Sequence, residues 1–206
     1  MSESRAERVR GTEGYAETAA VVAERFERIT FDDVHASVRH LIPVAPADVL
    51  DIGAGTGRDA AALAAMGHRV VAVEPTAELR TIGTGLHPKI GSTWLDDSLP
   101  DLALVTSRPQ RFDAVMLTAV WMHLDSSQRA EAMPVIAELL RPGGVVLFSV
   151  RHGHVPPGRV MYEVPAEETV TLATASGLRL LLRLDDQPGA YGDAQVTWTK
   201  LGFTKG

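Results

Sequence analysis

Cysteine is absent from the 206-residue chain, which excludes disulfides and thiolate metal sites and fits a reducing compartment, so a cytoplasmic location is expected. Long apolar runs are absent too. None approaches the roughly 20 residues that a membrane-spanning helix needs, so no membrane partner is expected. The opening MSESRAERVR is charged and lacks the apolar stretch of a signal peptide; its first residues are expected to fray. Nor is there an excess of positive charge. Lys and Arg total 20 against 26 Asp and Glu, a net charge of -6, which counts against a wide grip on nucleic acid and leaves room only for a small basic patch. No internal repeat or low-complexity tract stands out, and the length supports one domain with a sizeable core.

What is present is alternation. Ala19, Val22, Ala23, Phe26 and Ile29 recur at helical spacing, which predicts an amphipathic helix over residues 15–28. A second helix is expected over 31–41, ended by Pro43 and Pro46. The segment ADVLDIG then reads as a buried strand, followed by a glycine turn and an alanine-rich helix over 58–66. HRVVAVEP, FDAVMLTAV and GGVVLFSV read as further strands, rich in β-branched or apolar residues along their whole length, as strands covered on both faces are. AELLRPGG ends a helix with a Pro-Gly-Gly break. Strands alternating with helices predict a parallel sheet flanked on both sides. The C-terminal part differs: LRLLLRLDD and VTWTKLGFT are joined only by the turn-rich QPGAYGDAQ, too short for a crossover, so an antiparallel hairpin is expected.

Chemistry is concentrated where the first strand ends. In DIGAGTG, residues 51–57, three alternate glycines follow an acid, a pattern that lets a ligand approach the backbone with no Cβ in the way. The dinucleotide fingerprint is Gly-x-Gly-x-x-Gly; here the third glycine comes one residue early. Asp51 beside the pocket would repel a pyrophosphate and attract a cation. Glu74, at the end of the second strand, can accept hydrogen bonds from ribose hydroxyls. Asp96 and Asp97, in WLDDSLPDL, sit where a carboxylate could meet an exocyclic amine. Together these acids describe an adenosine with a positively charged tail.

In this order and spacing, VLDIGAGTG, VVAVEP, WLDDSLP, FDAVMLTAVWMHL and LLRPGGVVLFSV resemble the successive motifs of the class I S-adenosylmethionine-dependent methyltransferases, over roughly residues 48–150. The resemblance implies an α/β fold with a seven-stranded, mostly parallel Rossmann-like sheet of order 3-2-1-4-5-7-6, strand 7 antiparallel. It implies a single domain over 1–206, with a helical lid over 1–46, a cofactor-binding core over 47–150, and an acceptor-side loop with the hairpin over 151–206. The implied cofactor is S-adenosyl-L-methionine, with S-adenosyl-L-homocysteine as product. Asp51, Gly53 and Gly55 would line its methionine end, Glu74 would hold the ribose, and Asp96 or Asp97 would meet the adenine amine. Thr118 and Ala119 would flank the sulfonium, Tyr15 would act from the lid, and Ala54, Arg58 and Pro75 would complete the wall. Arg58 could pair with a ligand carboxylate, or equally be a first-turn residue satisfied by Asp59 or solvent.

A general base is sought among the histidines. His123 follows the fourth strand and His152 and His154 follow the fifth, at the end of the sheet where ligands bind, so His123 and His152 are the candidate catalytic residues. Their spacing matches no standard metal motif, and no metal is expected. His35, His40, His68 and His87 are expected at the surface. Trp121 and Met122 could wall a substrate pocket or pack in the core, Arg151 would suit an anionic substrate group, and the proline-containing segment 152–168 is expected to shape the acceptor site. The expected activity is methyl transfer to a small molecule, by in-line displacement driven mainly by positioning. A protein or RNA acceptor, or a cofactor-binding module without turnover, are the alternatives. Oligomeric state is not legible.

Overall fold

The computed structural model describes residues 9–88, 93–190 and 192–206. The expected fraying of residues 1–8, and Tyr191 in the hairpin link, lie outside that range.

Five parallel strands, β1 (Asp48–Ile52), β2 (Arg69–Val73), β3 (Trp94–Leu95), β4 (Phe112–Thr118) and β5 (Leu140–His152), are followed by β6 (Leu178–Pro188) and β7 (Thr197–Lys205). They form one sheet of order β3-β2-β1-β4-β5-β7-β6. β7 runs antiparallel to both of its neighbours, as the short link between the last two apolar segments required. The helices are α1 (Ala19–Glu27), α2 (Phe31–His35), α3 (Arg58–Ala65), α4 (Ala77–Leu86), α5 (Ala103–Thr106), α6 (Ser126–Leu139) and α7 (Ala166–Ala175).

The apolar runs are continuous because the sheet buries both faces. Leu50, Ile52, Val115, Leu117, Val146 and Phe148 point into one core with Ala132, Met133 and Ile136 of α6. Their chain neighbours Val49, Ala114, Met116 and Leu147 enter a second core with Ala60 and Leu63 of α3 and with Phe31. Successive strand residues face opposite ways, and each large side chain so buried contributes roughly 1.5–3 kcal/mol.

Three expectations shift. The first helix starts at Ala19 rather than residue 15, because Tyr15 is drawn down onto His123 (Oη to Nε2, 3.1 Å) and the chain before it is in turns. α2, opened by a Thr30–Asp33 capping box, stops at His35, and only a short 3-10 turn, Arg39–Leu41, remains of the rest. β5 begins at Leu140, so Pro142 and Gly143 lie within the strand rather than before it; Leu140 pairs with Phe112 ahead of an irregularity in the β4–β5 register.

Candidate functional site

The carboxyl ends of β1 to β5 lie side by side, and they carry Asp51, Glu74, Asp97, Thr118 and Arg151 to one edge of the sheet. Gly53 and Gly55 turn the chain there with φ of 68° and 58°. A Cβ on Gly53 would run into Val120, and one on Gly55 would stand 3.3 Å from the Phe26 ring. Only glycine fits. At the end of β4, Ala119 is held at φ 61°, a strained conformation for a residue with a Cβ, and its N–H donates to the Ser149 carbonyl at 2.9 Å.

The acids differ in what surrounds them. Glu74 is buried and accepts from the Gly55 N–H (2.9 Å) and the Thr76 N–H (2.8 Å); burial raises its pKa against those bonds. Asp51 is buried as well, and among the described residues its Oδ2 has no hydrogen-bond partner. Burial, then the nearby Asp59 charge, push its carboxyl well above the usual range. Asp59 is the opposite case. Burial works against its ionisation, but the His35 contact (Nε2 to Oδ2, 2.8 Å) and Arg58 (Nε to Oδ1, 2.8 Å) outweigh it and hold the carboxyl far below the ordinary value. Arg58 also donates to the Phe26 carbonyl at 3.3 Å, so the structure places it on Asp59, one of the two positions the sequence allowed.

Two adjoining cavities open at this edge. One, of about 400 Å³, is lined by Tyr15, Gly53, Gly55, Glu74, Pro75, Asp97, Thr118, Ala119 and His123, together with Arg151 and Met161. The other, of about 300 Å³, is lined by Asp51, Ala54, Arg58, Asp59, Ser149 and Lys200. Phe26, Gly53, Gly55, Thr118, Ala119 and Trp198 belong to both.

In the larger cavity, His123 Nδ1 lies 2.8 Å from the Val160 carbonyl oxygen. A carbonyl only accepts, so Nδ1 carries the hydrogen and Nε2 presents its lone pair to the Tyr15 hydroxyl. Burial lowers the His123 pKa and raises that of Tyr15, so the imidazole is neutral and the phenol protonated at neutral pH. Arg159 lies over the Tyr15 ring, 3.9 Å from its centroid, and donates to the Glu13 carbonyl (3.3 Å) and the Thr18 hydroxyl (2.7 Å). Segment 152–168 thereby clasps the N-terminal segment over the site, and Pro156 and Pro157 stand in the cavity wall.

A methyltransferase-domain family model matches residues 22–184. The chain belongs to that family. A curated relative, an uncharacterized methyltransferase of Mycobacterium tuberculosis, is 35% identical over 104 residues, which is 50% of this chain and 40% of that protein. The match thus spans less than half of the relative's length. Among solved structures, a TehB-like SAM-dependent methyltransferase from Corynebacterium glutamicum superposes with a TM-score of 0.68 at 18% identity, covering 92% of this chain and 99% of that one. The 1,6-didemethyltoxoflavin-N1-methyltransferase of Burkholderia thailandensis, with its substrate and S-adenosylhomocysteine bound, gives 0.62 at 21% identity over 92% and 89% of the two chains. At such identities the likeness is one of fold.

Against this methyltransferase frame, several expected residues fall elsewhere. His152 lines neither cavity: its Nε2 is 2.9 Å from the Thr199 hydroxyl. On β5 the site-facing residues are Ser149 and Arg151, and the alternation of side chains sends His152 to the other face. Asp96 is also outside the walls, paired with Arg80 at 3.0 Å, and its Oδ1 is buried with no partner among the described residues. Asp97 lines the larger cavity, but its carboxylate accepts from the Ser98, Leu104 and Val105 amides at 3.0, 2.8 and 3.1 Å, capping α5. His35 and His68 are buried rather than at the surface. Trp121 packs in the core and donates to Thr169 at 3.0 Å, whereas Met122 reaches the cavity wall.

The sequence missed Phe26, Arg25, Arg159 and Lys200. For Lys200 a signal existed. Trp198 and Lys200 alternate on β7 and pair across the ladder with Arg151 and Ser149, so all four share one face. Lys200 Nζ donates to the Ser149 hydroxyl (2.6 Å) and the Val34 carbonyl (3.1 Å), and burial pulls its pKa down to about 8.

Proposed function

We propose that the chain is an S-adenosylmethionine-dependent methyltransferase acting on a small molecule, by in-line transfer that depends chiefly on positioning. The observation that carries this reading is Asp51, a buried carboxylate with an unpartnered oxygen at the foot of the glycine loop. Such a group is costly unless a cation or donor completes it. The methionine end of S-adenosylmethionine brings an ammonium and a sulfonium, whereas a dinucleotide would bring a pyrophosphate.

The other residues fit the same ligand. Gly53 and Gly55 leave the backbone open to it, and Glu74 would accept from the ribose hydroxyls. Asp97 stands in the wall of the larger cavity, where its carboxylate, fixed by the Ser98, Leu104 and Val105 amides, would face the adenine amine. Thr118 and Ala119 would border the sulfonium, with Tyr15 and Pro75 closing the wall. Bound there, the cofactor supplies a methyl group already attached to a good leaving group. The chain's own work is to hold the acceptor in line, exclude water with Met122, Met161 and Trp198, and receive a proton. His123 Nε2 is the receiving atom, since it already accepts from the Tyr15 hydroxyl in the cavity. A small-molecule acceptor is favoured by the modest size of the cavity, about 400 Å³, and the Burkholderia neighbour holds 1,6-didemethyltoxoflavin together with S-adenosylhomocysteine.

Thermal unfolding with S-adenosylmethionine, S-adenosylhomocysteine and NAD, on wild type and Glu74→Ala, tests this. Ligand at about 100 times its dissociation constant adds roughly 2.7 kcal/mol, a rise of about 5–10 °C for a domain of this size. A shift with the two sulfur ligands that Glu74→Ala abolishes is the expected result; a shift with NAD alone, or none, would sink the reading.

A further inference from the structure

We propose that Lys200 is a further cofactor-binding residue: its ammonium, with the Ser149 hydroxyl, takes the carboxylate of the cofactor's amino-acid end, whose own ammonium meets Asp51. The inference rests on the methyltransferase reading above and adds to it a side chain from β7, outside the stretch that carries the methyltransferase motifs. The place is the smaller cavity, of about 300 Å³, whose wall holds both Asp51 and Lys200.

Strand register brings these side chains together. Thr118 of β4 pairs with Ser149 of β5, and Ser149 with Lys200 of β7, so the three stand in one row on one face of the sheet. Asp51 pairs with Met116, two residues before Thr118, which puts it on that same face one strand further along. From β7 the lysine amine reaches α2: Nζ donates to the Ser149 hydroxyl at 2.6 Å and to the Val34 carbonyl at 3.1 Å.

Both charged residues are more than nine-tenths buried, Asp51 with 2% and Lys200 with 7% of its surface exposed, yet they do not bond to each other. Asp51 accepts from the Ala60 N–H, and among the described residues its Oδ2 has no partner. Lys200 places two of its three ammonium hydrogens on Ser149 and Val34, and the third is available to an incoming acceptor. The Asp59 charge supports the ammonium and the Arg58 charge opposes it, both by less than burial does, while Asp59 is itself bonded to His35 and Arg58. An acid from β1 and an amine from β7 in the wall of one cavity match a ligand group that carries both charges, and an α-amino acid is such a group. A singly charged group would complete one of the two and leave the other desolvated. Arg58, the cation nearest the glycine loop in the chain, is held on Asp59 and the Phe26 carbonyl, so the carboxylate falls to Lys200.

The test uses the full chain and three ligands measured by titration calorimetry: S-adenosylhomocysteine, the analogue lacking only its carboxylate, an adenosine thioether ending in aminopropyl, and the analogue lacking only its amine, ending in carboxypropyl. Lys200→Met is expected to weaken S-adenosylhomocysteine and the carboxypropyl ligand by roughly tenfold or more and to leave the aminopropyl ligand unchanged, which also shows that the variant folds. Asp51→Asn should do the converse and spare the carboxypropyl ligand. Ser149→Ala, which keeps the amine, should show the Lys200 pattern at smaller amplitude. A Lys200→Met variant that binds S-adenosylhomocysteine as wild type does would overturn the proposal and leave the cofactor reading standing. So would a loss that extends equally to the aminopropyl ligand, the mark of a disturbed fold rather than of a missing carboxylate partner. If Lys200→Met does not fold, Ser149→Ala decides: the same selective loss upholds the proposal and its absence overturns it. A wild type that binds none of the three ligands would instead bring down the cofactor reading itself.

Discussion

His35 Nε2 lies 2.8 Å from Asp59 Oδ2, and both side chains are buried. The pair pins α2 to the first turn of α3, directly behind the glycine loop, so the N-terminal segment and the nucleotide-type turn are built as one unit. Removing one partner of a buried pair leaves the other uncompensated, and Asp59→Ala should cost about 3–5 kcal/mol of stability. The pH dependence follows from the sign of the shift. Asp59 has a folded-state pKa below its unfolded value near 3.8, so its contribution is complete above that value and is lost as pH falls toward the depressed one. Urea unfolding at pH 7 should show the full gap between wild type and variant, and the gap should narrow below pH 4. A constant gap would mean that packing, rather than charge, holds this joint.

Asp51 should show the reverse trade. Its buried, unpartnered oxygen and the neighbouring Asp59 and Glu74 charges work against the empty protein. Asp51→Asn is therefore expected to raise the stability of the unliganded chain by about 1–2 kcal/mol, while weakening S-adenosylhomocysteine by tenfold or more. Melting with and without the ligand reads both effects. A variant that is less stable and binds equally well would remove Asp51 from the proposed cofactor site.

Lys200 predicts a rise in stability at alkaline pH. Its folded pKa of about 8 lies below the unfolded 10.5, so the unfolded chain binds more protons between those values and stability climbs across that window. The difference corresponds to roughly 3 kcal/mol at most. Lys200→Met should lack the climb, and the comparison of the two chains by denaturant unfolding at pH 7.5 and pH 10 isolates it from other titrating groups. Parallel curves would show that the amine is hydrated rather than locked between Ser149 and Val34.

His123 and Tyr15 make a kinetic prediction once an acceptor is in hand. With a hydroxyl or amine acceptor, His123→Gln should lower kcat by about 10²–10⁴. Because burial depresses the imidazole pKa, the acid limb of kcat/KM should lie below pH 6.5 and vanish in the variant. Tyr15→Phe removes the hydroxyl that now occupies Nε2 and should leave that limb in place. An unchanged kcat in His123→Gln would mean that the acceptor arrives already deprotonated.

The amino-acid sequence by itself determined the parts that depend on residues close together in the chain. β1, β2, β4 and β5 announced themselves as apolar runs, the glycine turn as a backbone that must tolerate positive φ, and the antiparallel β6–β7 pair as two strands with too short a link to cross over. The positions of Asp51, Glu74 and His123 followed, because strand ends fix where a side chain emerges. Tertiary structure decided the rest. Tyr15 meets His123 across 108 positions, Lys200 meets Ser149 across 51, and Asp97 spends its carboxylate on α5. On β5 the register turns Arg151 toward the cavity and His152 away. Local preferences act over a few residues, whereas burial, register and hydrogen-bond satisfaction are set by whichever distant segment packs alongside. A histidine such as His35 therefore reads as a surface residue until the fold brings Asp59 to it.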